Sequence, residues 1–132
     1  GYIGHYPARM DHVWGARIDP RTQLKKKPRQ SLAKLYFDTI VFDNEQLRHL
    51  VNLWGADHIL VGTDYPYDMG WYDPNGFVDG CGFLKDADRA AIKGLNAAKL
   101  LGITSRLKSM GIRPAAAAAA SKPRSKPKRA RR

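Results

Sequence analysis

Apolar residues fall into a few separate runs along the chain, and the spacing within each run differs. Leu35-Tyr36-Phe37-Asp38-Thr39-Ile40-Val41-Phe42 is aromatic and β-branched with little alternation, which predicts a strand buried on both faces. Next, Leu47, Leu50, Val51 and Trp54 fall at i, i+3, i+4 and i+7, one apolar helical stripe. Asp43 is placed to cap that helix, Gln46 to complete a variant capping box, and Gly55 to end it in a left-handed turn. A second strand is predicted over 58–63, ending Ile59-Leu60-Val61-Gly62-Thr63-Asp64-Tyr65-Pro66, where Pro66 cannot donate to a sheet ladder. Strand, helix and strand with short joints make a parallel βαβ unit, so both strands end on one rim.

A helix over 86–101 follows, with Asp86 as its cap, Ala91, Ile92, Leu95 and Ala98 on its buried side and Gly102 as its stop. Gly94 inside it costs about 1 kcal/mol against alanine, which predicts close packing there. A short helix is expected over 105–110. Residues 1–30 lack sustained periodicity, and Gly1, Gly4, Pro7, Gly15, Pro20 and Pro28 punctuate them too often for a long regular element.

The 132 residues suit one modest domain, and 43% hydrophobic content permits a packed core. The net charge of +11 is uneven: from Pro114 onward there are seven Lys or Arg and no acid, leaving sixteen basic against twelve acidic residues before it. The chain therefore divides into a mildly basic body, 1–113, and an Ala-rich then Lys/Arg/Pro-rich tail, 114–132. The tail has no apolar face to bury; it is expected to be disordered and open to nonspecific polyanion contact. Cys81 stands alone, which suits a reducing, cytoplasmic setting. No apolar run approaches the roughly 18 residues of a membrane helix.

Candidate chemistry begins at Asp64. A carboxylate at the carboxyl end of a buried strand is where α/β enzymes place reactions, although an aspartate there also serves as a plain turn cap. The segment 65–77 behind it carries four Tyr or Trp, one Phe and two further aspartates, and reads as part of a pocket wall. Arg9 offers a fork of donors for a carboxylate, and His12 a proton shuttle, each set against an ordinary surface role. Asp38, inside its strand, either supports a polar interior or pairs with a neighbouring arginine. His49 and His58 read as surface histidines. Lys25-Lys26-Lys27-Pro28-Arg29 reads as a solvated basic loop. Cys81 has no basic helper, so a nucleophile role is not expected.

Two parallel strands with two helices leave their sheet edges open. A (β/α)8 TIM barrel needs about 250 residues. As about the last two β/α units of such a barrel, the chain would place Asp64 on the catalytic face. Gly1 in place of methionine also suggests a carboxyl-terminal fragment of a longer protein. Val61-Gly62-Thr63-Asp64-Tyr65-Pro66, with Tyr36-Phe37-Asp38-Thr39 before it and Gly94-Leu95-Asn96-Ala97-Ala98-Lys99-Leu100-Leu101-Gly102 after it, resembles the amidohydrolase-related family that includes aminocarboxymuconate-semialdehyde decarboxylase.

That resemblance, over residues 1–104, implies a metal-dependent enzyme holding one divalent cation, usually zinc. Asp64 corresponds to the metal-binding aspartate that ends strand eight. Arg9 corresponds to an arginine that reaches a substrate carboxylate in the partner subunit of a homodimer, and Tyr67 to a pocket-lining aromatic. His12 and Trp14 fall near the same rim. The implied reaction is non-oxidative decarboxylation (a carboxy-lyase acting on small unsaturated or aromatic carboxylic acids), with hydrolysis or hydration as alternatives. A small basic nucleic-acid-binding protein driven by the tail is the alternative of a different class. No His-x-His pair occurs in the sequence, and His5, His12, His49 and His58 match none of the family's metal ligands. The polypeptide alone is therefore expected to be inactive.

Overall fold

A computed structural model describes residues 2–111; the tail, and the disorder expected of it, lie outside the described residues. The core forms around a parallel pair of short strands, β1 (Phe37–Asp38) and β2 (Ile59–Leu60), in register Phe37↔Ile59 and Asp38↔Leu60. Both predicted strands are present and parallel, but each is cut to two residues. The reason is local: Ile40 N–H donates to the Asp38 carboxylate at 3.0 Å, and Gly62 N–H to the Thr39 hydroxyl at 3.1 Å. Side chains thus take over donors that a longer ladder would use. Asp38 is exposed and bonds its own loop; among the described residues no arginine pairs with it, and it does not face a polar interior.

The connecting helix α4 (Asn44–Trp54) starts as the pattern predicts. The Asp43 carboxylate accepts from Glu45 N–H and Gln46 N–H, both at 2.9 Å. Its stripe buries Leu47 and Leu50 against Ile59, Val78, Cys81, Leu84 and Ile92. Gly55 takes positive φ (88°) but with ψ at 150°, so it leads into a 3-10 turn at Ala56–His58 instead of closing a left-handed cap.

The amino-terminal third departs from expectation. Ahead of β1 lie α1 (Pro7–Ala16), α2 (Asp19–Gln23) and α3 (Pro28–Leu32). Each begins with a proline at its first or second position, where the missing N–H costs nothing and the fixed φ suits a helix. The prolines therefore start helices here, and α1 packs on α2 and α3 as a helical arm.

Beyond β2 the expected loop is shorter than predicted, because Asp73 caps a helix, α5 (Pro74–Gly80), by accepting from Gly76 N–H at 2.9 Å. The predicted 86–101 helix is broken into α6 (Asp86–Ala90), a π-helical turn (Ala91–Leu95) and α7 (Asn96–Leu100), with Lys85 rather than Asp86 at the cap position. Gly94 lies inside the π turn with non-helical angles, φ 169° and ψ −25°. A Cβ there would meet nothing within 4 Å, so close packing does not explain this glycine. Gly102, at φ 68°, ends α7, and α8 (Thr104–Ser109) follows.

Candidate functional site

The two strands end on one rim, and aromatic packing joins the loops there. Phe42 follows β1 and Trp71 follows β2; their rings stand 5.5 Å apart, and Trp71 continues onto Phe77 of α5 at 5.0 Å. Trp71 Nε1–H donates to the Asp73 carbonyl at 2.7 Å, which holds the indole between the loops. Composition showed that the segment was aromatic; which ring bridges to Phe42 depends on tertiary contact.

Asp64 stands on this rim, four residues past β2. Its backbone is left-handed, φ 55°, a region that aspartate tolerates better than most residues. Two backbone bonds fix the turn around it: Tyr67 N–H to the Asp64 carbonyl at 2.9 Å, and Trp71 N–H to the Thr63 carbonyl at 2.8 Å. Gly70 is required here, since a Cβ would lie 2.9 Å from the carbonyl oxygens of both Thr63 and Tyr67. The Asp64 side chain is exposed. Tyr65, Tyr67, Met69 and Tyr72 follow it along the chain as exposed rings and a thioether, each more than two-thirds accessible. Among the described residues these side chains stand on an open rim.

The five candidate residues fall into two groups. Asp64 and Tyr67 share one turn. Arg9, His12 and Trp14 share α1, in the arm. Arg9 and His12 are exposed and one turn apart on that helix. The Trp14 indole donates to the Leu24 carbonyl at 2.8 Å, which gives it a structural job inside the arm. Among the described residues, no group of three His, Cys, Asp or Glu side chains is arranged to hold a metal ion. Asp64 belongs to no such group, so the described residues do not by themselves constitute a zinc site.

The motif around Asn96 has a role that periodicity did not reveal. Asn96 is buried, and its side-chain amide donates to the carbonyls of Ala56 and Ile59, both at 2.8 Å. Val61 N–H donates to the Ile92 carbonyl at 3.2 Å. The π turn and α7 therefore pin β2, the strand that leads to Asp64.

The histidines read as surface groups are also engaged. His58 Nδ1 donates to the Leu35 carbonyl at 2.9 Å, and its ring stacks on Tyr36. His49 Nε2 donates to the His5 carbonyl at 3.2 Å, and the two imidazoles stack 5.5 Å apart. His5 Nδ1 is buried without a partner and adjoins a cavity of about 130 Å³ lined also by Asp38 and Leu50. Burial, and next the neighbouring His49, lower the His5 pKa from the ordinary histidine value. Cys81 is fully buried, and desolvation raises its thiol pKa against the pull of Arg89 and Arg48. No basic helper for Cys81 is legible in the sequence, but Arg89 lies beside it, donating to the Cys81 carbonyl at 2.9 Å.

Comparison with known proteins gives a consistent result. The family model described as Amidohydrolase matches residues 4–103. The chain is 31% identical over 104 residues to a 2-amino-3-carboxymuconate-6-semialdehyde decarboxylase of Dictyostelium discoideum, a match covering 76% of this chain and 29% of the relative. It is 32% identical over 108 residues to the protein of the same name in Caenorhabditis elegans, covering 79% and 27%. Among solved structures it resembles the 5-carboxyvanillate decarboxylase LigW of Sphingomonas paucimobilis, with a TM-score of 0.64 and 23% identity, covering 78% of this chain and 31% of that one. The chain thus spans under a third of the length of the relatives it matches. Among the described residues, no helix is long and apolar enough to cross a membrane.

Proposed function

The chain belongs to the amidohydrolase family, and from that premise we propose that it is the carboxyl-terminal part of a metal-dependent enzyme that removes carbon dioxide, without oxidation, from a small unsaturated or aromatic carboxylic acid. The observation that carries this reading is the position of Asp64. It follows the second of two parallel strands, on the rim where (β/α)8 enzymes place their chemistry. The decarboxylase names of the relatives favour loss of carbon dioxide over hydrolysis or hydration.

In this reading Asp64 is one ligand of a divalent cation, with zinc as the expected ion. A bound cation would supply Lewis acidity. The remaining ligands must come from outside the described residues, so the polypeptide alone is inactive. Residues of this chain have three tasks. The Asp64 carboxylate presents negative charge at the mouth of the site. Arg9, exposed on α1, offers a planar pair of donors to a substrate carboxylate, reaching it across a homodimer interface. Tyr67, beside Asp64 in the same turn, lines the approach, with His12 and Trp14 on the arm that carries Arg9.

The test uses the complete enzyme and follows carbon dioxide release from unsaturated and aromatic carboxylic acids. Asp64→Asn is expected to abolish turnover and lower bound metal per subunit. Arg9→Gln is expected to raise KM mainly. Full activity and full metal content in Asp64→Asn would overturn the reading; a hydrated or hydrolysed product with no carbon dioxide would move it to the alternative chemistry.

A further inference from the structure

The positive charge of the described body is concentrated in the helical arm. Seven of the sixteen basic residues before Pro114 lie between Arg17 and Lys34, facing a single acid, Asp19. Outside that span the body carries more acidic than basic residues. Arg17 is matched to Asp19 at 2.8 Å, and Arg29 leans toward Asp11 at 3.7 Å. Lys25, Lys26 and Lys27 are exposed and pair with no carboxylate among the described residues.

These three lysines occupy the turn between Leu24 and Pro28, and both of those residues line an open groove of about 460 Å³. Met10, Val13 and Pro20 make most of its wall apolar, and Arg9 of α1, proposed above to meet a substrate carboxylate, lines it too. Tyr2 lines it as well. Tyr2 is 69% exposed, and its ring is stacked on Tyr6 at 4.3 Å with 13° between planes. The exposed Tyr2 ring, backed by Tyr6, and a cationic turn with no carboxylate partner among the described residues therefore border one groove.

We propose that this groove is a binding site for single-stranded nucleic acid, distinct from the basic tail. The lysine turn meets phosphates, and a base lies on the Tyr2–Tyr6 stack over the apolar floor. Single-strand sites combine these two parts, a cationic track and aromatic platforms. Stacking and phosphate contact do not depend on base identity, so binding is sequence-tolerant. A duplex, whose bases stay paired and stacked, gains only the charge contact.

The test measures fluorescence anisotropy of labelled dT20 and of a 20-base-pair duplex with the full chain, at 50–300 mM salt. It uses a background in which the seven Lys and Arg after Pro114 are replaced by glutamine. That background is expected to bind dT20 more tightly than duplex. Lys25→Gln/Lys26→Gln/Lys27→Gln is expected to weaken binding and to lower the slope of log K against log salt by about 2, from ~0.7 per single-strand phosphate contact. Tyr2→Ala is expected to weaken dT20 binding at least about fivefold with the slope unchanged, and Tyr2→Phe to retain it. Circular dichroism of each variant excludes unfolding. Loss of all binding on neutralising the tail, equal affinity for duplex, or indifference to Tyr2→Ala would each overturn the proposal. Binding of poly-glutamate as tightly as dT20 would reassign the groove to an acidic protein partner.

Discussion

The side-chain amide of Asn96 donates to the backbone carbonyl of Ile59 at 2.8 Å, in the interior, where α7 meets β2. The same amide reaches the Ala56 carbonyl at 2.8 Å, so one side chain sets the path of the chain into β2 and toward Asp64. Asn96→Ala leaves these carbonyls short of a donor and is expected to cost about 1–3 kcal/mol in urea unfolding. Asn96→Asp is expected to cost more at pH 7, because an ionised carboxylate can only accept and would face two acceptors. That deficit should shrink as the pH falls and the introduced carboxyl takes up a proton it can donate. Equal stability of Asn96→Asp and the parent at pH 7 would refute the assigned roles.

Gly4 is held against the core by close approach. A Cβ at this position would lie 2.8 Å from two ring carbons of Phe37 and 3.0 Å from Leu50. The Gly4 carbonyl also accepts from Trp54 Nε1–H at 2.7 Å. Gly4→Ala is expected to destabilise the chain by about 1–3 kcal/mol through overpacking. Gly80→Ala serves as a control, since a Cβ there meets nothing within 4 Å. Matched unfolding midpoints for the two variants would count against this contact.

Asp64 combines an exposed side chain with left-handed backbone, φ 55°. Its removal should therefore separate stability from activity. Asp64→Asn keeps a residue tolerant of that conformation and is expected to change stability by less than about 0.5 kcal/mol. Asp64→Ala is expected to cost roughly 1 kcal/mol more, from backbone conformation alone. Thermal unfolding of the three proteins checks the order. A large loss in Asp64→Asn would reveal a structural carboxylate.

His5 gives the chain a pH dependence with a definite sign. Its pKa is lowered by burial and then by His49. Above the ordinary histidine value of about 6.5, His5 is neutral in both folded and unfolded chains, and the full stability is present. As the pH falls through that value, the unfolded chain binds a proton that folded His5 resists, so stability declines until the lowered pKa is passed. His5→Phe is expected to flatten the decline between pH 7 and 5. Titration of the His5 ring resonances checks the premise: a midpoint at or above the ordinary histidine value of about 6.5 would contradict it.

Local pattern was enough for the elements whose causes are local. The stripe at Leu47, Leu50, Val51 and Trp54 and the cap at Asp43 placed α4 correctly, because helix faces and caps are set by residues within a few positions. The parallel pairing of the two apolar runs followed from the short joints between them. The residues of the Val61–Pro66 and Gly94–Gly102 segments carried the family. Pattern failed in the arm, where prolines read as interruptions in fact begin α1, α2 and α3. It also failed on strand length, since Asp38 and Thr39 divert the donors of Ile40 and Gly62.

The sequence by itself determined the family, the βαβ order and the identity of Asp64 as the acid that follows the second strand. Tertiary structure alone decided that Trp71 bridges the two loop ends, that Asn96 steers β2, and that Arg9 and Asp64 stand on different elements. It also brought the lysine turn and the Tyr2–Tyr6 stack to one groove. The physical reason is range. Propensity, capping and periodicity act over a turn or two of chain, whereas Asn96–Ile59, Phe42–Trp71 and Gly4–Trp54 join residues about 30 to 50 positions apart, and such contacts exist only once the core has closed.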